Sequence, residues 1–121
     1  MDKVDQLNLE MSNKIQERNA LKLEQTVVNQ LLEEYEVVTN DVAKLYHSLE
    51  ERYVGSRLSS GIQQNEEAFK RGSHKTLEAL HLRKQEIVKA IRNVDEEYEA
   101  LKIQKLAKIE LQEEMGDKDE H

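Results

Sequence analysis

The chain has no cysteine, no proline and no tryptophan, and only one phenylalanine and four tyrosines. Without thiols there is no disulfide framework and no cysteine-based zinc site. Either redox compartment suits such a chain. Without proline, nothing in the sequence forces a helix to stop. Aromatics at 4% and charged residues at 36% leave too little apolar bulk for a large globular core, but enough for long amphipathic helices that each bury one stripe. No apolar run approaches the length of a membrane span. The opening residues, Met1-Asp2-Lys3-Val4-Asp5, lack the basic-then-apolar order of a secretory signal, so no signal peptide is expected. Basic charge in excess is also missing. The net charge is −7, which argues against nucleic acid and against anionic membrane surfaces as partners.

What is present is helical. At 121 residues one domain is expected. The only interruption lies near the midpoint, in Tyr53-Val54-Gly55-Ser56-Arg57-Leu58-Ser59-Ser60-Gly61, where two of the four glycines and a cluster of serines collect. These residues break or cap helices. The expected fold is therefore all-α, an antiparallel two-helix hairpin. Helix 1 should cover about residues 6–52, the turn 53–60, helix 2 61–114, and an acidic tail 115–121.

In helix 1, Val28, Leu31, Tyr35, Val38, Val42, Leu45 and Leu49 recur at alternating steps of three and four, the spacing of a seam that faces a partner helix. Leu7, Met11 and Ile15 precede them more loosely. In helix 2 the corresponding positions are Leu77, Leu80, Ile87, Ile91, Val94, Tyr98 and Leu101, with Lys84 in one seam slot. Ser60 with Gln63 reads as a capping box, Gly72-Ser73 as a tolerated weak point, and Gly116 as a C-cap. A single tight reversal would place Leu49 near Phe69 and Leu77, and Leu21 near Leu101 and Leu106. On this reading Val38→Glu or Leu45→Glu collapses the fold. Leu23, Val27, Val37, Tyr46, Leu82 and Ile103 fall beside the seam. An apolar face wider than one seam is what a bundle member shows to a further helix, so these six are the expected partner-binding residues.

Candidate chemistry is sparse. There is no glycine-rich phosphate loop and no nucleophile on a strand–turn–helix, so no catalytic role and no cofactor is expected. His74, Glu78 and His81 share a helical face and are plausible metal ligands by type, but the same letters describe an ordinary solvated face, and no metal site is assigned. Arg52, Arg57, Lys70, Arg71 and Lys75 concentrate positive charge near the turn. They read either as a solvated tip or as a docking surface for an acidic partner.

Two helices of similar length around the aromatic-x-Gly of Tyr53-Val54-Gly55 resemble the WXG-type small helical proteins of type VII secretion. Glu24-Gln25 with Asn29-Gln30, the run from Leu45 to Gly55, and Glu96-Glu97-Tyr98-Glu99 resemble the second type of LXG-associated α-helical (Lap) proteins of Gram-positive bacteria. That resemblance implies a cytoplasmic targeting factor or chaperone. It would bind the helical N-terminal LXG domain of a toxin used in interbacterial antagonism, alongside a second small WXG-like protein, and could leave the cell with its cargo. The chain departs from the pattern at the apex, where Tyr53 replaces Trp. It also lacks the C-terminal aromatic-x-x-x-acidic export signal, since Tyr98 is followed four residues on by Lys102. Tyr46-x-x-x-Glu50 has the right letters but falls in helix 1. A partner would have to supply the export signal. Two other readings stay open: a prefoldin-β-like chaperone subunit, which needs strand-forming residues at the turn, and a structural coiled-coil homodimer.

Overall fold

The computed structural model describes residues 2–119, with side-chain surroundings for residues 2–116. It is an all-α helical hairpin of two helices packed against each other, with no strand among the described residues. Helix α1 spans Lys3–Arg52 and α2 spans Ser59–Asp119. α1 thus starts earlier than the sequence suggests, with Asp5 in its first turn and Arg52 in its last. Each charge complements the helix end it occupies.

The reversal is made by Tyr53 to Leu58. The Tyr53 amide still donates to the Leu49 carbonyl, and the Ser56 amide donates to the Tyr53 carbonyl, both at 3.0 Å. Gly55 lies between them at φ 76°, in the left-handed region where a Cβ would crowd the backbone. The cap of α2 is not Ser60, which lies exposed inside the helix. Leu58 holds the cap position, its carbonyl accepting from the Ile62 amide at 3.0 Å, and Ser56 supports it: its Oγ accepts from the Leu58 amide at 3.0 Å and its carbonyl accepts from the Ser59 amide at 3.2 Å. At the other end, α2 passes through Gly116 to Asp119. The C-cap expected at Gly116 does not form, because a single glycine lowers helix propensity without ending a helix that nothing else interrupts. Of the tail placed at 115–121, residues 115–119 are helical and 120–121 lie outside the described residues.

Contacts divide the chain into two compact units. One joins Met1–Gln25 with Ile87–His121, and the other is Thr26–Glu86. In the first, Leu7, Met11, Ile87, Ile91 and Val94 are buried, with Ile87 fully enclosed. The stripe that carries them also carries charge. Arg18 Nε reaches Asp95 Oδ1 at 2.7 Å, and Lys14 Nζ pairs with Glu97 and, at 3.5 Å, with Glu17. Ionic groups at seam positions pair only where their partners are level, so they fix the alignment of the two helices. With Arg18 opposite Asp95, Leu21 is level with the turn near Arg92. That is about 13 Å short of Leu101 at 1.5 Å per residue, so the expected pairing of Leu21 with Leu101 and Leu106 does not hold.

In the unit Thr26–Glu86, Val28 and Leu32 are buried, and Tyr35, Thr39, Val42, Tyr46 and Leu49 are half-buried beside them. The seam on α1 is therefore Val28-Leu32-Tyr35-Thr39-Val42-Tyr46-Leu49. Leu31, Val38 and Leu45, assigned to the seam on sequence grounds, are 44%, 52% and 58% exposed. Tyr46, assigned to the partner-binding face, instead stacks tilted near Phe69 with ring centroids 6.1 Å apart. Both assignments share Val28, Tyr35, Val42 and Leu49 and differ only in whether the intervening step is three or four. The step of four continues the spacing of Leu7, Met11 and Leu21, and it brings Tyr46 to Phe69. Val38→Glu and Leu45→Glu are accordingly expected to leave the hairpin folded.

On α2 the apolar seam positions keep the sequence assignment: Ile87, Ile91 and Val94 are buried, and Leu77, Leu80, Tyr98 and Leu101 are half-buried, whereas Lys84, assigned to a seam slot, is exposed. Ser73 also turns inward, only 5% exposed, and its Oγ has no hydrogen-bond partner. A buried hydroxyl left unbonded costs about 1–3 kcal/mol. Ser73→Ala removes that penalty and improves helix propensity, so we expect it to stabilise the protein by roughly 1 kcal/mol, read as a higher denaturation midpoint.

Candidate partner-docking surface

The accessible surface is 9353 Å², against roughly 6,800 Å² for a compact monomer of this mass. Among the described residues, sixteen large hydrophobic side chains stay exposed. Of the six residues proposed to meet a partner, Leu23, Val27, Val37, Leu82 and Ile103 are exposed and Tyr46 is not.

In the unit that pairs the two chain ends, the exposed apolar groups form grooves. One runs along the outside of α2 and is lined by Val88, Ile91, Arg92, Asp95, Glu96, Glu99, Ala100 and Ile103. Val88, Ile91, Ala100 and Ile103 give it aliphatic surface, with Ile103 66% exposed, and Arg92, Asp95, Glu96 and Glu99 place charges of both signs along it. A second groove, lined by Lys14, Ile15, Arg18, Val94, Asp95, Tyr98 and Glu99, follows the line where α1 meets α2 and shares Asp95 and Glu99 with the first. Together they make a strip in which exposed aliphatic side chains lie among charges of both signs, Lys14, Arg18 and Arg92 beside Asp95, Glu96 and Glu99, the shape and chemistry that accept an amphipathic helix with mixed charge beside its apolar face. Val88 and Ala100 were not singled out from the sequence, and Ile15, read there with Leu7 and Met11 as part of the helix 1 stripe, is 46% exposed instead. Val88 and Ala100 lie one position off the seam, where no periodic signal distinguishes an outer groove from seam padding.

Of the basic residues near the turn, Lys70 has an acidic neighbour on its own helix. Lys70 Nζ pairs with Glu66 at 2.9 Å and His47 Nε2 with Glu51 at 3.1 Å. The Glu50 carboxyl is hydrogen-bonded to Glu66, which together with partial burial holds Glu50 above the usual carboxylate range. Lys70, then Glu50, hold Glu66 below that range. Of the two carboxyls, Glu50 is therefore the one that takes up a proton first as pH falls. A raised pKa in the folded state contributes stability below the ordinary carboxylate value and loses it as pH rises through the folded value. Glu50→Gln copies the protonated form at every pH. It is expected to raise the melting temperature at neutral pH and to leave it unchanged below the ordinary carboxylate range, as thermal melts at the two pH values would report.

His74 Nε2 pairs with Glu78 at 2.9 Å, and no group of three His, Asp or Glu side chains among the described residues is placed to hold a metal ion. No described helix is long and apolar enough to cross a membrane. No family model, no curated protein and no solved structure matches this chain.

Proposed function

We propose that this chain is a targeting factor or chaperone. It binds the helical N-terminal LXG domain of a toxin exported by type VIIb secretion and holds that domain in a form competent for export. The observation that carries the reading is the strip of exposed apolar side chains, Ile15, Val88, Ala100 and Ile103, bordered by charges of both signs on the outer side of a folded hairpin. Such a strip is costly to leave in water and is covered economically by another helix. The resemblance of Tyr53-Val54-Gly55 and Glu96-Glu97-Tyr98-Glu99 to Lap proteins supplies the identity of that helix. The function is binding, with no catalysis. A prefoldin-like role is less favoured, because the turn it would use for strand pairing is a tight helical reversal built on Gly55 and Ser56.

The test is co-expression with the N-terminal helical region of the long open reading frame beside the gene, with the mass of the purified product read by light scattering. A stable complex containing that region supports the proposal. Recovery of the hairpin without it overturns the proposal.

A further inference from the structure

The two edges of the seam in the unit Thr26–Glu86 differ in chemistry. One edge of α1 carries Asn29, Glu36 and Glu50, and there Glu50 bonds to Glu66 of α2. The other carries Leu31, Val38 and Leu45 at steps of seven, all exposed. In an antiparallel pair, equivalent edges of the two helices lie side by side. The α2 residues flanking the seam on this second side from Gly61 to Ala79 are Gly61, Asn65, Ala68, Gly72, Thr76 and Ala79, all exposed. A Cβ added at Gly61 or Gly72 would meet nothing within 4 Å. One helix thus offers a row of large apolar side chains and its neighbour a row in which glycine and alanine alternate with the short polar Asn65 and Thr76.

The heights of the two rows match. Tyr46 near Phe69 makes Leu45 level with Lys70, close to Ala68. Val38 is level with Leu77, between Gly72 and Ala79. From these placements we infer that this face is a self-association surface, covered by a second copy of the same chain with both turns at the same end. A two-fold axis parallel to the helices then lays Leu45 and Val38 of each copy over the small residues of the other, twice by symmetry. With the turns at opposite ends, large residues would meet large and small would meet small.

Charge favours the same arrangement. Asp41 on α1 and Lys75 on α2 lie within one residue of the same height, so each Asp41 faces the Lys75 of the other copy. Residues 26–86 carry 8 basic and 10 acidic side chains, which leaves little net repulsion between copies. The row from Val27 to Leu45 is about 27 Å long, and two helices are about 20 Å wide. The pair buries on the order of 1,000 Å², the lower limit for a specific interface, so the dimer is reversible.

Sedimentation equilibrium on the isolated chain, from about 1 μM to about 1 mM, tests this. The wild type should pass from 14.2 kDa to twice that mass. Val38→Glu and Gly72→Gln should stay monomeric where the wild type is dimeric, with unchanged circular dichroism. Asp41→Lys and Lys75→Glu should each weaken the dimer about tenfold, and the double exchange should restore it. A wild type monomeric throughout, or a dimer indifferent to Val38→Glu and Gly72→Gln, overturns the inference. The inference is independent of the toxin-binding reading. No other protein is present in the experiment, so failure here leaves that reading standing, and failure to bind an LXG domain leaves this one standing.

Discussion

Ile87→Ala should lower stability by about 2–5 kcal/mol, whereas Val38→Glu should leave the helix content and denaturation midpoint near those of the wild type. Ile87 is 0% exposed and is one of only two fully enclosed side chains described, the other being Leu7. Truncating it removes the transfer free energy of three carbons and opens a cavity in a seam with little other apolar packing to close around it. Small domains hold a reserve of about 5–15 kcal/mol, so the loss is a large fraction of the whole. Val38 is more than half exposed, and a carboxylate there stays in water. Urea denaturation followed by circular dichroism separates the two. A Val38→Glu variant that unfolds, beside an Ile87→Ala variant that does not, would invert the seam described above.

The second large effect is expected at Gly55. Its φ of 76° lies where a β-branched residue is strained, at a cost of roughly 1–2 kcal/mol. The space around it is open: a Cβ added there would meet nothing within 4 Å, so backbone strain is the only penalty. Gly55→Val should therefore destabilise by about that amount, while Gly55→Asn, which tolerates the left-handed region, should cost clearly less. Equal losses for the two variants would mean that volume, not backbone conformation, selects glycine here.

The hairpin, the place of its reversal and the seam of α2 were all legible in the sequence. Ile87, Ile91, Val94, Tyr98 and Leu101 admit only one phase, because the positions between them are mostly charged. Helix α1 is ambiguous for the opposite reason. Leu31 and Leu32 are neighbours, as are Val37 and Val38, and Leu45 and Tyr46, so two phases both look apolar. The phase containing Thr39 is the one that packs. Polar Thr39 counts against it in any tally of apolar residues, yet half-buried Thr39 donates its hydroxyl to the Tyr35 carbonyl, and its methyl can pack. The α2 cap was misplaced for a similar reason. Ser56, Ser59 and Ser60 are all competent caps, and which of them supports the helix start depends on how few residues Gly55 needs to reverse the chain.

The docking strip was legible only in part. Ile103 stood out as an apolar residue off the seam, but Val88 did not, and Ile15 reads in the sequence as one of the stripe with Leu7 and Met11. Whether such residues pad a seam or line an outer groove depends on the crossing of the two helices, set here by Arg18 with Asp95 and Lys14 with Glu97. Those pairs are visible as letters in the sequence but not as partners, because sequence separation carries no information about which of many acids a base will meet.

The most direct test of the binding role is calorimetric titration of the candidate LXG domain with wild-type protein and with Ile103→Glu. The substitution puts a charge on an exposed position of the outer groove, away from the seam. The expected result is saturable binding by the wild type and at least a hundredfold weaker binding by Ile103→Glu, with helicity unchanged. Equal affinities for the two proteins would contradict the assignment of that groove as the site where the partner docks.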